Sequence, residues 1–476
     1  MELPERYLEA MRLLLGEEEF DNYKKSMEET GFRGLRINPL KVEKEKQEAV
    51  LKAVCSSVTE MVLWSGGLGF YYDEEASPAR HPYYFGGMYY LQEPSAMAPA
   101  AFLSVKPGDR VLDLCAAPGG KSTQLGAGLS GQGLLVSNDV SASRAKGLLK
   151  NLELFGIGNC LVSAEEPERL LVSFPGYFDK VLVDAPCSGE GMFRRESSMA
   201  ESWKERGPEY YSPIQKRLLL TACKMVKPGG FVLYSTCTFS KEEDEDTVSR
   251  VLAEAPDMEQ VKLLPVDGIS QGFDGFSLRL FPWRLKGEGH FVSLLRKKSG
   301  DASTISEGGE TSSDMAARRK SNEVFLKKQE AFAAFRRLIK APLEERGYYW
   351  EREGKLYLLP VPPAELPGIR FLRTGLLLGS VLKNRFEPSQ ALAMYLKKEE
   401  FANTVDFASE DIRTVKYLKG ETVDCTEESE EGKRRSPVVS GSDGWCLVCS
   451  DGWPLGFAKK SRMTLKNKYY PGWRWQ

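Results

Sequence analysis

The stretch Leu112-Asp113-Leu114-Cys115-Ala116-Ala117-Pro118-Gly119-Gly120-Lys121-Ser122-Thr123 indicates a buried strand, a turn of small residues and the first turn of a helix. Further apolar runs alternate with helical patterns after it, at residues 134–137, 161–163, 181–183, 231–234 and 291–295. This alternation is typical of a parallel sheet with helices on both faces. The sequence therefore predicts an α/β fold with a Rossmann-like central sheet.

The length of 476 residues predicts roughly two to four domains. Apolar residues at helical spacing up to about residue 30, followed by a short strand at 34–38, indicate a small α+β unit at the N-terminus. Residues 299–322 are small and polar, which is typical of a linker. We predict an N-terminal unit at 1–95, a central domain at 96–298, a linker at 299–322, a helical or α+β connecting domain at 323–400 and a C-terminal domain at 401–476.

The composition excludes several classes of protein. The formal net charge is −2, so a surface that binds a polyanion has to be a local patch. No apolar segment is long enough to span a membrane and the N-terminus has no signal-peptide pattern, so we expect a cytoplasmic protein with no membrane partner. Nine irregularly spaced cysteines argue against a disulfide framework, and Cys446 and Cys449 lack a second pair or a nearby histidine for zinc. We therefore expect reduced thiols and no metal.

The turn at 115–121 is a candidate cofactor loop. A phosphate-binding loop of the nucleoside-triphosphatase type requires glycine where Cys115 stands, and the G-x-G-x-x-G fingerprint is absent. Asp139 ends the second strand, where a carboxylate can accept hydrogen bonds from ribose hydroxyls. This pattern favours S-adenosylmethionine, which has a ribose and an adenine but no phosphate. The alternative is an ordinary strand-turn-helix corner.

The third strand is followed by two adjacent glutamates, Glu165 and Glu166. A carboxylate at this position can reach the amino group of an adenine. The residues alone do not distinguish this role from that of ordinary surface glutamates.

Two cysteines stand at the ends of predicted strands: Cys187 in Asp184-Ala185-Pro186-Cys187 and Cys237 in Ser235-Thr236-Cys237. Carbon 5 of cytosine is a poor nucleophile until a thiolate adds at carbon 6, which makes carbon 5 enamine-like. After methyl transfer, a second thiol or another base helps to remove the carbon 5 proton and release the first. Two placed thiols therefore predict cytosine chemistry, and the residues alone leave open which cysteine attacks.

Asp184 lies three residues before Cys187, at the carboxyl end of the fourth strand, where open α/β sheets bind their ligands. A carboxyl group there can contact ring nitrogen 3 of cytosine and accept from its exocyclic amine. Pro186 restricts the backbone between the two residues. We therefore predict that Asp184 contacts the cytosine ring.

These motifs, together with Gln92-Glu93-Pro94-Ser95 and the continuation Ser188-Gly189-Glu190-Gly191, resemble the Sun/Nop family of RNA cytosine-5 methyltransferases from about residue 34 to residue 476. The resemblance implies a class I methyltransferase sheet with Cys237 as nucleophile and Cys187 in product release. In DNA cytosine methyltransferases the Pro-Cys cysteine is the nucleophile, which would nominate Cys187 instead. The resemblance also implies a set of residues that bind S-adenosylmethionine: Cys115, Ala116, Ala117, Pro118, Gly119, Gly120, Lys121, Asp139, Glu166 and Asp184. Bacterial relatives often have Asp where Glu166 stands.

The C-terminal part resembles a bacterial subgroup of that family that carries a PUA-like RNA-binding domain and acts on small-subunit ribosomal RNA. The residues that carry this resemblance include Gly452-Trp453-Pro454-Leu455-Gly456 and Leu465-Lys466-Asn467-Lys468-Tyr469-Tyr470-Pro471-Gly472-Trp473. The same region contains aromatic residues and cations that suit RNA: Lys459, Lys460, Arg462, Lys466, Lys468 and Arg474. The alternative is a packed strand with solvated lysines.

The predicted function is the transfer of a methyl group from S-adenosylmethionine to carbon 5 of cytosine in small-subunit (16S) ribosomal RNA. The predicted partners are ribosomal RNA or the small subunit, without metal, and the predicted state is a monomer. Transfer RNA is an alternative substrate. Two alternatives belong to other classes of protein: a ribosome-assembly factor without catalytic activity, and an enzyme that acts on DNA or a small molecule.

Overall fold

The computed structural model describes residues 3–55, 60–299, 312–366, 368–383, 385–426 and 438–476. Within these ranges, no helix is both long and apolar enough to cross a membrane. The first part of the predicted linker, residues 300–311, lies outside the described residues.

The N-terminal unit packs helices around a small antiparallel sheet. The central strand is Gly34–Ile37, with Gly69–Tyr71 and Tyr89–Leu91 on its two sides. Tyr7 and Met11, which are four residues apart, form the buried face of the first helix. The helical pattern and the strand predicted in this region are confirmed. The elements are α1 Glu5–Leu15, α2 Glu17–Ser26, β1 Gly34–Ile37, α3 Gln47–Val54, β2 Gly69–Tyr71, α4 Pro82–Phe85 and β3 Tyr89–Leu91.

The central region alternates strands and helices. Its elements are α5 Ala98–Leu103, β4 Arg110–Asp113, α6 Gly120–Gly128, β5 Leu134–Asn138, α7 Ala142–Leu154, β6 Cys160–Ser163, α8 Pro167–Ser173, β7 Phe178–Asp184, α9 Ser198–Glu205, α10 Pro208–Met225, β8 Val226–Thr236, α11 Glu245–Glu254, β9 Met258–Val261, β10 Ser270–Gln271, β11 Leu278–Leu280 and β12 His290–Lys297. The neighbouring strands β8, β7, β4, β5 and β6 are all parallel. Buried residues of α5, α6 and α7 cover one face of the sheet, and those of α8, α10 and α11 cover the other. The predicted Rossmann-like α/β architecture is confirmed.

The strand predicted at 291–295 departs from the parallel sheet that the sequence predicts. It exists as β12 but runs antiparallel to β8. The connection from β11 to β12 contains no α-helix, whereas a parallel return requires a crossover, usually a helix. As a result, the first residue of β12, His290, lies at the end of the sheet that carries the strand-end motifs.

The connecting region contains α12 Ser312–Lys328, α13 Glu330–Arg336, α14 Leu343–Arg346, β13 Tyr348–Arg352, β14 Lys355–Leu359, β15 Phe371–Thr374, β16 Leu376–Leu382, β17 Arg385–Pro388 and α15 Gln390–Tyr395. Helix α12 begins inside the predicted linker, so the linker interpretation is wrong for residues 312–322. The reason is tertiary: the amide of Asn322 is fully buried, donates to the carbonyl of Gly347 at 2.9 Å and accepts from the N–H of Tyr349 at 2.8 Å.

Strand β15 joins the sheet of the central region, antiparallel to the edge strand β6. The sequence pattern ends this sheet before residue 299 and does not indicate the added strand. Pairing with β15 covers the exposed backbone edge of β6, which is otherwise a site for unwanted strand pairing.

The last part of the chain forms one sheet, with its strands in the order Val423–Asp424, Thr464–Asn467, Trp453–Ser461, Gly444–Ser450, Thr404–Phe407 and Val438–Ser440. Trp453 donates to the carbonyl of Lys41 at 3.1 Å, and Trp475 stacks on Phe85, so this part packs on the N-terminal unit. Its elements are β18 Thr404–Phe407, α16 Ile412–Leu418, β19 Val423–Asp424, β20 Val438–Ser440, β21 Gly444–Ser450, β22 Trp453–Ser461 and β23 Thr464–Asn467.

Candidate active site and cofactor loop

The cofactor loop runs from the end of β4 to the start of α6 and is held against the end of β5. The N–H of Ala116 donates to the carbonyl of Asn138 at 2.8 Å. Gly119 has a φ of 113°, a left-handed conformation that favours glycine at this sharp turn into the helix. These contacts place the small residues of the loop beside the next strand end.

Asp139 lies at that strand end with its side chain 3% exposed. One carboxylate oxygen faces the N–H of Ala117 at 3.3 Å, and the other accepts from the N–H of Ser141 at 2.9 Å. The loop thus combines backbone N–H groups, small side chains and a fixed carboxylate. This set fits the ribose of a nucleoside cofactor.

Asp113 is a buried carboxylate beneath the loop that the sequence did not single out. It accepts from the hydroxyl of Ser122 at 2.6 Å, and its other oxygen has no hydrogen-bond partner in the described part of the chain. Burial raises the pKa of Asp113 to about 7, although the Ser122 hydrogen bond opposes the shift. This carboxyl group therefore titrates near neutral pH.

The two glutamates after β6 have different surroundings. Glu165 is buried, with its carboxylate 3.3 Å from the N–H of Arg370 and 3.3 Å from the guanidinium of Arg169. Glu166 is exposed and precedes the first residue of α8. The carboxylate of Glu165 is thus used to hold the segment leading to β15, which leaves Glu166 as the carboxylate with the greater exposure to solvent.

Asp184 lies at the end of β7, where three other side chains meet it. Lys121 donates to one oxygen at 2.7 Å, Ser235 donates to the other at 2.8 Å, and the imidazole of His290 lies 3.8 Å from the latter oxygen. Burial would raise the pKa of Asp184, but Lys121 and His290 together outweigh the effect of burial and hold the pKa below its usual range. Asp184 is therefore an anionic acceptor at neutral pH.

The sequence gives no signal for His290 in this site. The side chain is buried, and neither ring nitrogen has a hydrogen-bond partner among the described residues. The imidazole reaches Asp184 because β12 pairs antiparallel with β8, a long-range relationship that no local motif encodes.

The thiols of Cys187 and Cys237 lie 3.3 Å apart, sulfur to sulfur. The N–H of Cys237 also points at the sulfur of Cys187, at 3.4 Å. The hydrogen bond to Cys237, together with burial, raises the pKa of Cys187 well above its usual range. Cys187 thus keeps its proton, and either thiol can be the donor in the contact between the two sulfurs.

The remaining cysteines have no comparable arrangement. Burial raises the pKa of Cys115, which is half-buried in the cofactor loop, above its usual range. Within the described ranges, no group of three or more His, Cys, Asp or Glu side chains is arranged to hold a metal ion. The cysteines outside the cofactor loop and the Cys187–Cys237 pair are buried free thiols: Cys55, Cys160, Cys223, Cys425, Cys446 and Cys449.

The cations predicted to bind RNA do not all lie on the surface. Lys460 is buried and donates to the carbonyl of Gly441 at 3.1 Å. Lys459 lies over the ring of Trp445 and is paired across the two strands with Lys466. The exposed members of the set are Lys459, Arg462, Lys466, Lys468 and Arg474.

Most of the interleaved aromatic residues are packed rather than free to stack on bases. Tyr469 and Trp473 are buried in the C-terminal core, and Trp475 stacks on Phe85. Tyr470 is 55% exposed. The packed-strand alternative thus describes these aromatic residues, apart from Tyr470, better than base stacking does.

The sheet, the cofactor loop and the strand-end carboxylates define an S-adenosylmethionine-dependent methyltransferase with a Rossmann-like fold. Four family models match the chain: 16S rRNA methyltransferase RsmB/F at residues 100–296, the N-terminal domain of 16S rRNA methyltransferase RsmF at 3–94, the RsmF rRNA methyltransferase first C-terminal domain at 332–396 and the methyltransferase RsmF PUA domain at 402–475. Together these four models match most of the chain, which belongs to the RsmB/F family of 16S rRNA methyltransferases.

Individual relatives agree with this family. The chain is 29% identical over 481 residues to the ribosomal RNA small subunit methyltransferase F of Erwinia tasmaniensis, covering 98% of this chain and 95% of that protein. It is also 29% identical over 496 residues to the enzyme of the same name from an Enterobacter species, with the same coverage. A solved methyltransferase homolog protein from Pyrococcus horikoshii is 26% identical with a TM-score of 0.53, covering 62% of this chain and 100% of that chain.

Proposed function

We propose that this protein methylates carbon 5 of a cytosine in 16S ribosomal RNA, in the cytoplasm, through a covalent adduct between Cys237 and the base. The observation that carries the proposal is the 3.3 Å separation of the Cys187 and Cys237 sulfurs, beside the anionic Asp184. The family models and curated relatives support ribosomal RNA as the substrate.

The reaction begins at carbon 6 of the cytosine. The Cys237 thiolate forms a bond to carbon 6, and the electron pair of the carbon 5–carbon 6 double bond shifts toward carbon 5. Asp184, as a carboxylate, accepts a hydrogen bond from the exocyclic amine and so holds the ring beside the thiolate. Carbon 5 becomes the nucleophile for the methyl group.

S-adenosylmethionine supplies this methyl group as an activated sulfonium. The residues that would hold the cofactor are the small residues of the loop at 115–120, Asp139 for the ribose and Glu166 for the adenine. Lys121 sits between the cofactor loop and Asp184, where its ammonium group fixes the carboxylate.

Release reverses the first step. A base removes the proton from carbon 5, the double bond between carbons 5 and 6 re-forms, and the bond between carbon 6 and the Cys237 sulfur breaks with its electron pair returning to sulfur. Cys187 lies in contact with Cys237 and is the residue placed to assist this step. Its raised pKa supports this role, because a protonated Cys187 is a poor nucleophile and can donate a hydrogen bond to the Cys237 sulfur as the electron pair returns to it.

A chain divided into several units is suited to a large substrate such as RNA, which can contact more than one unit. We propose units at 1–95, 96–298, 323–400 and 401–476, of which the last would bind RNA as a PUA-like domain through exposed cations. We propose that the enzyme acts as a monomer without metal.

Two other functions remain to be distinguished from this one. A transfer RNA methyltransferase would use the same site on a different RNA. A ribosome-assembly factor without catalytic activity would have no need for two thiols in contact beside an ion-paired carboxylate.

The test is to incubate the purified protein and isotopically labelled S-adenosylmethionine with 30S subunits, naked 16S rRNA, total transfer RNA and duplex DNA. The proposal predicts labelled 5-methylcytidine in 16S rRNA, identified by mass spectrometry of nucleosides. Label in transfer RNA alone would favour the alternative substrate. Tight rRNA binding with no label in any acceptor would favour the assembly factor.

A further inference from the structure

Two buried carboxylates connect the loop that carries Cys187 with the loop that carries Cys237. Glu190, which follows Cys187, accepts a hydrogen bond from the N–H of Phe239 at 3.1 Å. Glu243, which follows Cys237, accepts from the N–H of Ser188 at 3.0 Å. The arrangement is reciprocal, because each loop donates a backbone N–H to a carboxylate of the other loop.

Glu243 is the more completely bonded of the two. Its side chain is fully buried, and the oxygen that accepts from Ser188 N–H also accepts from the amide of Gln215 at 2.7 Å. Its second oxygen accepts from the hydroxyl of Ser188 and lies 3.4 Å from the hydroxyl of Thr238. The carboxylate therefore holds Ser188, the residue next to Cys187, through both of its oxygens, and Thr238 is its more distant partner.

Glu190 has a second partner as well. Its other oxygen accepts from the indole N–H of Trp203 at 2.9 Å. A further direct link between the loops is the hydrogen bond from the N–H of Gly191 to the carbonyl of Cys237, at 2.9 Å. The two carboxylates thus add to this backbone hydrogen bond further bonds, which hold the residues that follow each cysteine.

We propose that Glu190 and Glu243 are positioning residues, each of which holds the opposite cysteine in place. Glu243 holds Cys187 through Ser188, and Glu190 holds Cys237 through Phe239. The inference rests on the proposed function, in which Cys237 attacks and Cys187 assists release. The two carboxylates should then affect different halves of the reaction.

The substitutions Glu243→Gln and Glu190→Gln keep the shape of each side chain. In each, an amide NH2 group replaces one acceptor oxygen and faces donors, so hydrogen bonds are lost or become repulsive. Loss of the Glu243 bonds displaces Cys187 and slows release, so the covalent RNA adduct accumulates. Loss of the Glu190 bonds displaces Cys237 and slows attack, so the adduct becomes rarer.

The experiment measures two quantities for each variant with 16S rRNA: the rate of methylation and the fraction of enzyme bound covalently to RNA after denaturation. Both variants should methylate about tenfold more slowly than the wild type. The adduct fraction should rise several-fold in Glu243→Gln and fall below the wild-type value in Glu190→Gln. Ser188→Ala, which keeps the N–H bond and removes the hydroxyl, should shift the fraction in the same direction as Glu243→Gln by a smaller factor.

The matched control is Glu242→Gln, whose side chain makes no hydrogen bond to either cysteine loop within the described residues. It should leave both quantities within twofold of the wild type. A purely structural role would lower the amount of folded protein and leave the ratio of adduct to product unchanged. A ratio of adduct to product that equals the wild-type ratio in both Glu190→Gln and Glu243→Gln would overturn the proposal.

A second measurement is independent of the methyl transfer. The oxidant diamide converts two thiols in contact to a disulfide, so its rate of closing the Cys187–Cys237 bond reports their alignment. It should be about tenfold slower in Glu243→Gln than in the wild type. If the disulfide closes in the wild type and closes more slowly in Glu243→Gln, the positioning role is retained. If no variant forms an RNA adduct in that case, the proposed function is contradicted. Equal closure rates would contradict the positioning role itself.

Discussion

The ammonium nitrogen of Lys121 lies 2.7 Å from a carboxylate oxygen of Asp184, and this ion pair joins the cofactor loop to the strand that leads to Cys187. Lys121 lies in the first turn of α6 and Asp184 is the last residue of β7, and both side chains are only partly exposed. The pair therefore couples the part of the site that would hold the cofactor to the part that would hold the base.

Replacement of Lys121 by Met should reduce kcat/KM on the order of 100-fold, because Asp184 loses the cation that keeps it ionised. The pKa of Asp184 should rise, so the residual activity of the variant should decrease at acid pH more than the activity of the wild type does. A pH–rate profile checks both. The control is Lys227→Met, which removes an exposed partner of Asp179 at a distance from the site. Activity of Lys121→Met within twofold of the wild type would contradict the role of the pair.

Asp113 should make stability depend on pH. Its folded-state pKa of about 7 lies above the usual value of 3.8, so the folded protein retains a proton that the unfolded chain releases. The free energy of unfolding should therefore fall as pH rises from about 4 to 7, by up to about 4 kcal/mol from this group. Urea unfolding at pH 5 and pH 8 should show a smaller decrease for Asp113→Asn than for the wild type. Equal decreases would contradict this assignment.

Arg36 should link the N-terminal unit to cofactor binding. Its buried guanidinium donates to the side chain of Gln92 at 2.9 Å, to the carbonyl of Gly120 at 2.8 Å and to the hydroxyl of Thr123 at 2.8 Å. Arg36→Met should weaken binding of S-adenosylmethionine about tenfold and lower the free energy of unfolding by about 3 kcal/mol.

Isothermal titration with the cofactor and urea unfolding measure these two effects. The matched control is Arg33→Met, in the same unit, which removes an exposed ion pair with Glu74. It should change the cofactor affinity and the free energy of unfolding only slightly. Unchanged cofactor affinity in Arg36→Met would show that the N-terminal unit does not position the loop.

The C-terminal lysines should separate into two classes. Lys459 and Lys466 are exposed and lie opposite each other on β22 and β23, whereas Lys460 is buried. The double variant Lys459→Ala/Lys466→Ala should reduce the slope of log affinity for RNA against log salt by about 1.5 to 2. Lys460→Ala should lower the thermal midpoint and leave that slope unchanged. Fluorescence anisotropy across a salt series distinguishes these outcomes, and an unchanged slope in the double variant would exclude this face from RNA binding.

The strands of the central sheet could be predicted because each is a short apolar run beside a turn or helix signal. The predicted run at 134–137 is the strand Leu134–Asn138, and the run at 181–183 lies within Phe178–Asp184. Both are buried parallel strands, whose continuous hydrophobicity is visible in a single sequence. The positions of Asp139 and Asp184 at the strand ends follow from the same pattern.

The parts that could not be predicted depend on contacts between distant residues. The strand at Phe371–Thr374 has little apolar pattern and forms because β6 offers it an open edge. His290 reaches Asp184 only because β12 reverses direction. The bond between Glu243 and Ser188 spans 55 residues and has no local signal. Hydrophobic periodicity gives the elements but not these pairings.

The most direct test of the covalent mechanism is to incubate Cys187→Ala with 16S rRNA and S-adenosylmethionine, denature the mixture and measure the RNA that stays attached to the protein. A stable adduct should form in Cys187→Ala and disappear in the double variant Cys187→Ala/Cys237→Ala, and the attached RNA should map to the methylated cytosine. An adduct that persists without Cys237, or one that forms in Cys237→Ala through Cys187, would contradict the assignment of Cys237 as the nucleophile.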